Sequence, residues 1–540
     1  MSSPNVSEAG SQGNDKGNSL RWHVLGGNNK NRVGANSGLC VYHYTGEDGA
    51  EHQRALLFDA GVLAGDRRSP EYPALVDSDS VIPDLDSFLY KKDDLGHVPD
   101  TPVDSIFLTH NHPDHTGAIP FLLLMGYKLP KIYATPYTAK RLEQELSNAG
   151  IGPEEWPEIF AIAPGKAIEE GPVRITAFSV SHSTPQSVGF FIETPEGNIL
   201  HSGDFKLDPS VVWGPAFSEE QFRRVVSKPV DLLLLDSTGA DRDVAPVTEE
   251  DVRENLRDLM KEHPNKRFII AVMGGYEENL ASVAMVTAEN GRTLWVAGGA
   301  HEQTLAALRD TGMSLSDHFE TKVDLRVLSA GKAARDLAAA RPKQSVVVVT
   351  GATGQNNAVL TRAADGHYNA LHLDPKTDVI VFCAPSMPGQ ESTHERLLSA
   401  LRSKGHTVLT RQDAPLYSHA HARLPEIIEF VKMTNPKQIV PVHGSKGLRN
   451  CCATAMEKMG KKVVRSDNGD VVEISQSGVI SLDPTTKNQP PLVGFKTLQG
   501  TTWDDRYYMM IHVPRESLPV VPTTGGNKKP RAKIFNINGK

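Results

Sequence analysis

The sequence predicts a multidomain α/β protein, and three changes of texture along its 540 residues predict it. From Trp22 the chain runs in short apolar or β-branched stretches bounded by Gly, Asn and Asp. Near Val230 it turns to strand–helix alternation, and after Lys461 to hairpin signals. The first texture places strands at 39–44, 55–58, 105–108, 173–180, 189–193 and 198–200, each short and closed by turn residues. Helical spacing is clearest there at 114–127 and 136–149, so strands packed under sparse helices are expected. In the second texture, helical patterns at 248–262, 277–290 and 302–311 alternate with buried-type runs at 268–273, 293–297, 345–350 and 378–383. That alternation is the pattern of a parallel sheet with helices on its faces. In the third, Asp467-Asn468-Gly469 and Gln476-Ser477-Gly478 mark turns within 463–482. A linker-like stretch at 483–491 follows, with some strand character at 507–512.

Composition narrows the function. At roughly 150 residues per domain, the length suits three to four domains. Lys+Arg number 57 and Asp+Glu 65, a net charge of −8, and 39% of residues are hydrophobic, so the chain is globular rather than wholly disordered. Residues 1–20 are Ser/Asn/Gly-rich, read as a disordered tail without a signal pattern, and no apolar run approaches the roughly 18 residues that cross a bilayer. A cytoplasmic protein with no membrane partner is expected. Four cysteines are too few for a disulfide scaffold or a Cys-rich zinc module. The acidic balance argues against a protein that simply coats nucleic acid. The last residues, 525–540, carry Lys528, Lys529, Arg531, Lys533 and Lys540 with no acid, which suits a solvated tail or attraction to phosphate.

The 20 histidines are unevenly spread, and the densest group carries the chemistry. Thr109-His110-Asn111-His112-Pro113-Asp114-His115 joins a predicted strand to a predicted helix. At such a turn His110 and His112 can point into one cleft, with Asp114 and His115 projecting from the first helical turn. Imidazole plus carboxylate suits Zn²⁺, Mn²⁺ or Fe, and the lack of thiolates disfavours a purely structural zinc. A core histidine would explain one of these residues but not four. His182, Asp204 and His443 each follow a predicted strand, where a polar side chain leaves the buried sheet for its rim.

The order Asp59, His110-x-His112-x-Asp114-His115, His182, Asp204 and His443 resembles the metallo-β-lactamase-fold hydrolases. Within them it looks like the ribonuclease J group of the nucleic-acid-processing β-CASP branch. Supporting stretches include Leu57-Phe58-Asp59-Ala60-Gly61, His201-Ser202-Gly203-Asp204-Phe205-Lys206, Asp236-Ser237-Thr238, Pro388-Gly389-x-Glu391, His419-Ala420-His421-Ala422 and Pro441-Val442-His443-Gly444. The resemblance spans about 22–475. It implies a metallo-β-lactamase αββα sandwich with an inserted β-CASP α/β domain and a short C-terminal region. The expected division is a tail at 1–20, the sandwich at 21–239 and 414–482, the insertion at 240–413, and a linker with a basic tail at 483–540.

The same resemblance implies two divalent ions, zinc or manganese. His110, His112 and His182 hold one, Asp114, His115 and His443 the other, and Asp204 bridges them. Asp59 and Asp236 orient imidazoles. His201 is either a third such partner or a core histidine, and His419 is a neighbour without function. His421 matches the histidine near the scissile phosphate, so His421, Asp114, Asp236 and Asp59 are the residues assigned to catalysis. The implied activity is RNA hydrolysis, exonucleolytic, endonucleolytic or both, by a hydroxide generated between the ions, in a dimer or tetramer. Gly351 and Gly354, in the turn after 345–349, allow close backbone approach to a phosphate. A purely structural turn is the alternative.

The chain departs from the family pattern at Thr353, Gln355, Asn356, Arg423 and Ser445-Lys446-Gly447, around the nucleotide path. Arg423, with Gly351, Gly354 and His421, is expected to contact substrate, and Lys446 is a further candidate. Rival readings are a DNA-processing enzyme, a hydrolase of a small ester or thioester, and a scaffold with a degenerate site. The long insertion and His421 argue against a small substrate.

Overall fold

In the computed structural model, the described residues are 18–64, 80–92, 96, 98–316, 318–384, 390–474, 480–482, 492–497, 509–512 and 533–535. Most of the expected tail, the Pro388-Gly389 motif, the turn at 476–478 and the 483–491 linker lie outside them. Ser19 and Leu20, expected in the tail, instead open the first strand, Ser19–Val24. Leu20 is fully buried there, and the strand pairs with Gly38–Thr45 on one side and Val471–Ile474 on the other.

Two sheets lie face to face. The first has eight strands, ordered Ile159–Ala161, Lys131–Ala134, Ser105–Phe107, Glu51–Phe58, Gly38–Thr45, Ser19–Val24, Val471–Ile474 and Ile480–Leu482. The second has seven, ordered Ala167–Glu170, Val173–Ser179, Val188–Glu193, Asn198–His201, Leu232–Asp236, Gln438–Val442 and Lys462–Val463. Alternate side chains of both sheets fill the space between them, among them Trp22, Phe58, Phe107, Ile175, Phe190, Leu232 and Val440. Pro136–Asn148 packs through Leu142 and Leu146 on the outside of the first sheet, and Leu424–Thr434 through Ile427 and Phe430 on the outside of the second. The result is an αββα sandwich.

The six-stranded sheet is parallel throughout, ordered Leu325–Val327, Thr293–Ala297, Ser345–Val349, Arg267–Val272, Asp378–Cys383 and Thr407–Leu409. All of its strands lie in sequence between Leu232–Asp236 and Gln438–Val442, which are nevertheless hydrogen-bonded neighbours in the second sheet. Thr248 caps the helix Glu249–Glu262 through a reciprocal bond with Asp251, and Val252, Leu256 and Met260 bury into the core beneath the parallel sheet.

The expected helix at 114–127 is broken at Gly117 into Pro113–Thr116 and Ala118–Leu124. Tertiary bonds take the carbonyls that would have continued it. Asn36 N donates to the Asp114 carbonyl (2.8 Å) and Ala60 N to that of His115 (2.7 Å). Ala118 N turns instead to the Ala60 carbonyl, also at 2.8 Å. The histidine turn is thereby tied to the strand ends around Asn36 and Ala60. At the other end of the chain, the backbone of Leu492–Thr497 pairs antiparallel with Ser80–Pro83, and strand character expected at 507–512 appears as Met509–His512.

Candidate metal centre

Most polar groups of this centre lie just past, or at, the C-terminal end of a strand, while Asp114 and His115 sit on the short helix Pro113–Thr116 and His421 on the loop before Leu424–Thr434. Ser105–Phe107 leads to His110, Val173–Ser179 to His182, Asn198–His201 to Asp204, Leu232–Asp236 to Asp236, and Gln438–Val442 to His443. The last three strands are adjacent and parallel, so their ends deliver three side chains to one rim. Asp59 follows Glu51–Phe58, which runs parallel to Ser105–Phe107. Asp59 and His443 hold positive φ angles of 60° and 52°, uncommon for side-chain-bearing residues and concentrated at functional sites.

The carboxylate of Asp204 is the hub. Its Oδ2 lies 3.1 Å from His115 Nε2, 3.3 Å from His443 Nε2, 3.7 Å from His110 Nε2 and 3.9 Å from His182 Nε2. Around it the coordinating atoms fall into three groups: His110, His112, His182 and Asp204; Asp114, His115 and His443; and Asp204, Asp236, His421 and His443. The first two are the ligand sets expected from the sequence, meeting at Asp204. His201 belongs to none of them. Its ring lies against Trp22 and Phe58 and its Nδ1 accepts from Gly203 N, so it is a core histidine that shapes the turn before Asp204.

Outer partners settle which nitrogen of each imidazole faces inward, because an acceptor-only group holds a ring N–H. His182 Nδ1 donates to the Ala420 carbonyl (2.7 Å) and His112 Nε2 to the Gly275 carbonyl (2.8 Å). His115 Nδ1 donates to Asp59 Oδ2 (2.7 Å), whose other oxygen accepts from Thr109 N. Asp236 Oδ2 accepts from His421 Nδ1 (2.8 Å), and its Oδ1 faces His443 Nδ1 at 3.3 Å. Asp59 and Asp236 thus stand where the sequence reading expects orienting carboxylates. Thr109, Thr238, Asn36 and the Gly275 carbonyl were not foreseen. Thr109 and Thr238 carried a signal as neighbours of His110 and Asp236, and Asn36 as the end of Val33-Gly34-Ala35-Asn36, another stretch in which the sequence resembles the family.

The donor set suits divalent cations. His110 Nε2 and Asp204 Oδ2 are buried and have no hydrogen bond of acceptable geometry, a costly state for such atoms unless a cation completes it. The electrostatics agree. Burial, reinforced by the neighbouring His115 and His112, drives His110 well below the usual imidazole range, and burial likewise drives His182 down, so both rings are neutral, the form that can bind a cation. Burial would lower His115 and His443 too. It is outweighed by Asp204, with Asp59 and Asp114 at His115 and with Asp114 and Asp236 at His443, which rises to about 10. The carboxylates therefore hold protons on two imidazoles in the positions that a cation's charge would take.

The substrate residues fare differently. His421 reaches the cleft, its side chain 22% exposed. Gly351 and Gly354 are in the left-handed region (φ 110° and 79°), and a Cβ on Gly354 would come within 2.3 Å of the Thr393 carbonyl. Packing against the helix Glu391–Ser403 accounts for that glycine without a ligand. Arg423 turns inward: its guanidinium bonds the Ala245 carbonyl and His419, and the residue is only 9% exposed. This corrects the expectation that Arg423 contacts substrate, because the Ala245 carbonyl and the His419 ring hold its donors. Lys446 is exposed but paired with Asp467 at 3.1 Å.

Comparison with known proteins places the chain. Residues 83–262 match the β-lactamase superfamily domain, 265–401 the ribonuclease J β-CASP domain, and 416–465 the Zn-dependent metallo-hydrolase RNA specificity domain. The chain belongs to the ribonuclease J group of β-CASP metallo-β-lactamases. Ribonuclease J of Sinorhizobium meliloti is 28% identical over 444 residues, 82% of this chain and 72% of that one. Ribonuclease J of Mycobacterium tuberculosis is 27% identical over 461 residues (84% and 75%), and ribonuclease J2 of Bacillus subtilis 28% over 432 (78% and 71%). A crystal structure of a protein of unknown function from Enterococcus faecalis shares the fold, with a TM-score of 0.59 at 16% identity, covering 84% of this chain and all of that one. The β-lactamase match runs to residue 262, although the helix Glu249–Glu262 packs in the core of the parallel sheet. Among the described residues, no helix is long and apolar enough to cross a membrane.

Proposed function

We infer that this β-CASP metallo-β-lactamase is a metal-dependent ribonuclease that hydrolyses RNA phosphodiester bonds. One observation carries the reading: two clusters of His and Asp donor atoms converge on Asp204, with the partly exposed His421 beside them. His110, His112, His182 and Asp204 would hold one divalent ion, and Asp114, His115, His443 and Asp204 a second, zinc or manganese. Divalent cations bound there acidify water and withdraw charge from phosphoryl oxygens. Asp59 and Asp236 hold the N–H of His115 and of His421 and His443, so the inward nitrogens stay fixed during turnover. His421 keeps Nδ1 on Asp236 and leaves Nε2 for substrate. Protonated there, it donates to a phosphoryl or leaving oxygen. The Gly275 carbonyl, from the parallel-sheet region, holds His112, so the roof over the cleft also orients a ligand of its floor.

The domain division at 240 and 413, a dimeric or tetrameric assembly and a cytoplasmic setting belong to the same reading. Their support is the sheet order, in which a strand pair of the sandwich brackets the parallel sheet, and the family resemblance. The test is incubation of the purified protein, with Asp114→Ala and His115→Ala beside it, with 5′-monophosphate RNA, 5′-triphosphate RNA and single-stranded DNA under Zn²⁺ or Mn²⁺. Metal-dependent RNA cleavage that both variants lose is expected. Cleavage of DNA alone, or of nothing, overturns the reading.

A further inference from the structure

His421 sits on a loop, so its place beside the centre depends on what ties that loop down. Three ties run to the sandwich. The Ala420 carbonyl accepts from His182 Nδ1 (2.7 Å), His421 Nδ1 donates to Asp236 Oδ2 (2.8 Å), and Ala422 N donates to the Phe205 carbonyl (2.5 Å). The fourth is Ser418, a buried residue whose hydroxyl accepts from Lys206 Nζ at 2.9 Å and donates to Glu249 Oε1.

Lys206 lies two residues past Asp204, and its side chain is 3% exposed. Its backbone N donates to the Ser181 carbonyl (2.8 Å), which seats it next to His182. Its ammonium faces Ser418 Oγ, Asp208 Oδ2 at 3.1 Å and Glu249 Oε1 at 3.5 Å, one acceptor for each N–H. Glu249 opens the helix Glu249–Glu262. Its N donates to Asp208 Oδ2 (2.8 Å), and its Oε2 accepts from Ser282 Oγ (2.7 Å) of Glu277–Glu289. One ammonium therefore joins the turn carrying Asp204, two helices packed on the parallel sheet, and the loop carrying His421. A buried ion cluster gains little net stability over apolar packing of the same volume, because desolvation offsets the attraction. What it fixes is geometry. Beside the loop a cavity of about 180 Å³, lined by Lys206, Thr248, His419 and His421 among others, leaves room for a shift once the anchor is cut.

We propose that Lys206 is a positioning residue: through the Ser418 hydroxyl it anchors the segment 418–422 and holds His421 in register with Asp204. Lys206 touches neither substrate nor metal, and acts only through the loop. The proposal rests on the ribonuclease reading for its reaction.

The test is single-turnover cleavage of RNA by the full-length protein at saturating metal, with amide hydrogen exchange of the segment 418–422 measured in parallel. Ser418→Ala leaves every charge in place and cuts the anchor. It is expected to lower kcat about tenfold, with KM and metal content unchanged and exchange at 418–422 faster. In a His421→Ala background the same substitution should cost less than about twofold, because the group it positions is gone. Glu249→Gln keeps the bond between Lys206 and Ser418 and should stay within about twofold of wild type. Lys206→Met strips a cation from two buried carboxylates, so a loss of stability accompanies its loss of rate; adding Ser418→Ala to it should cost no further rate. An unchanged kcat in Ser418→Ala, or an equal loss with and without His421, overturns the proposal. A loss in Glu249→Gln as large as that in Ser418→Ala assigns the anchor to Glu249 and overturns the role of Lys206. A wild-type protein that cleaves no RNA overturns the ribonuclease reading, and exchange then judges the anchor: faster exchange in Ser418→Ala keeps it, and unchanged exchange overturns it too.

Discussion

The histidine turn after Ser105–Phe107 and the glycine turn after Ser345–Val349 occupy equivalent places, each leaving the C-terminal end of a parallel strand toward a helix. They differ in what they leave unpaired. At the first, the buried His110 Nε2 and Asp204 Oδ2 make no well-formed hydrogen bond, although the outer nitrogens of His112 and His182 are tied down. At the second, the backbone is consumed by its own domain: His394 Nδ1 donates to the Ala352 carbonyl and Thr393 Oγ1 to that of Thr353, leaving the neutral Thr353 hydroxyl as the buried unpaired atom. Residue type made both look like ligand sites. What separates them is the remaining valence: one turn leaves buried imidazole and carboxylate atoms that a cation would complete, and the other leaves only a neutral hydroxyl.

The sharpest way to break the comparison is at the hub. Asp204→Ala should abolish cleavage by at least about a thousandfold and reduce bound metal, as read by single-turnover kinetics and elemental analysis; retained metal stoichiometry would remove Asp204 from its place between the sites. Next is Asp59→Asn, which keeps the shape but no longer fixes the N–H of His115. A loss of about 10–100-fold in metal affinity is expected, measured by chelator competition. Gly354→Ala tests the other turn. The clash with the Thr393 carbonyl and the positive φ should cost roughly 1–3 kcal/mol in chemical denaturation while metal binding stays normal. A fall in RNA affinity without lost stability would restore a phosphate role.

The smallest effect concerns Glu278, which accepts from Val212 N and Trp213 N between the two regions. Burial, together with Glu249, pushes it up to about 8. An acid whose folded pKa is raised stays protonated when the unfolded chain has ionised, so its contribution to stability falls as pH rises from about 4.5 to about 8. Glu278→Gln should flatten that part of the stability–pH curve; an unchanged curve would mean that Glu278 is ionised in the folded protein.

The clustering of the candidate ligands was legible because the chemistry is local: four ligand-type residues within six positions cannot all be core histidines, and the others each end a β-rich run. The outer partners were not. Gly275 and Ala420 act through carbonyls that any residue carries, and Asn36 reaches Asp114 only because two loops are folded together. The same blindness misdirected the substrate assignment. Arg423 and Arg242 look equivalent as letters, and Arg423 sits closer to His421 in sequence, yet one guanidinium is buried against the Ala245 carbonyl and the other is half exposed beside Asp241.

The order and chemical type of the ligands, the switch from sandwich to parallel sheet, and the metal-assisted class of reaction were determined by the sequence itself, because period, turn residues and ligand spacing are properties of neighbours along the chain. Three things were decided only by tertiary structure: the break in the helix at Gly117, the inward turn of Arg423, and the meeting of both ligand sets at one oxygen of Asp204. Each depends on which backbone and side-chain groups from distant segments compete for the same hydrogen bond or the same charge, and that competition exists only once the strand ends share a rim.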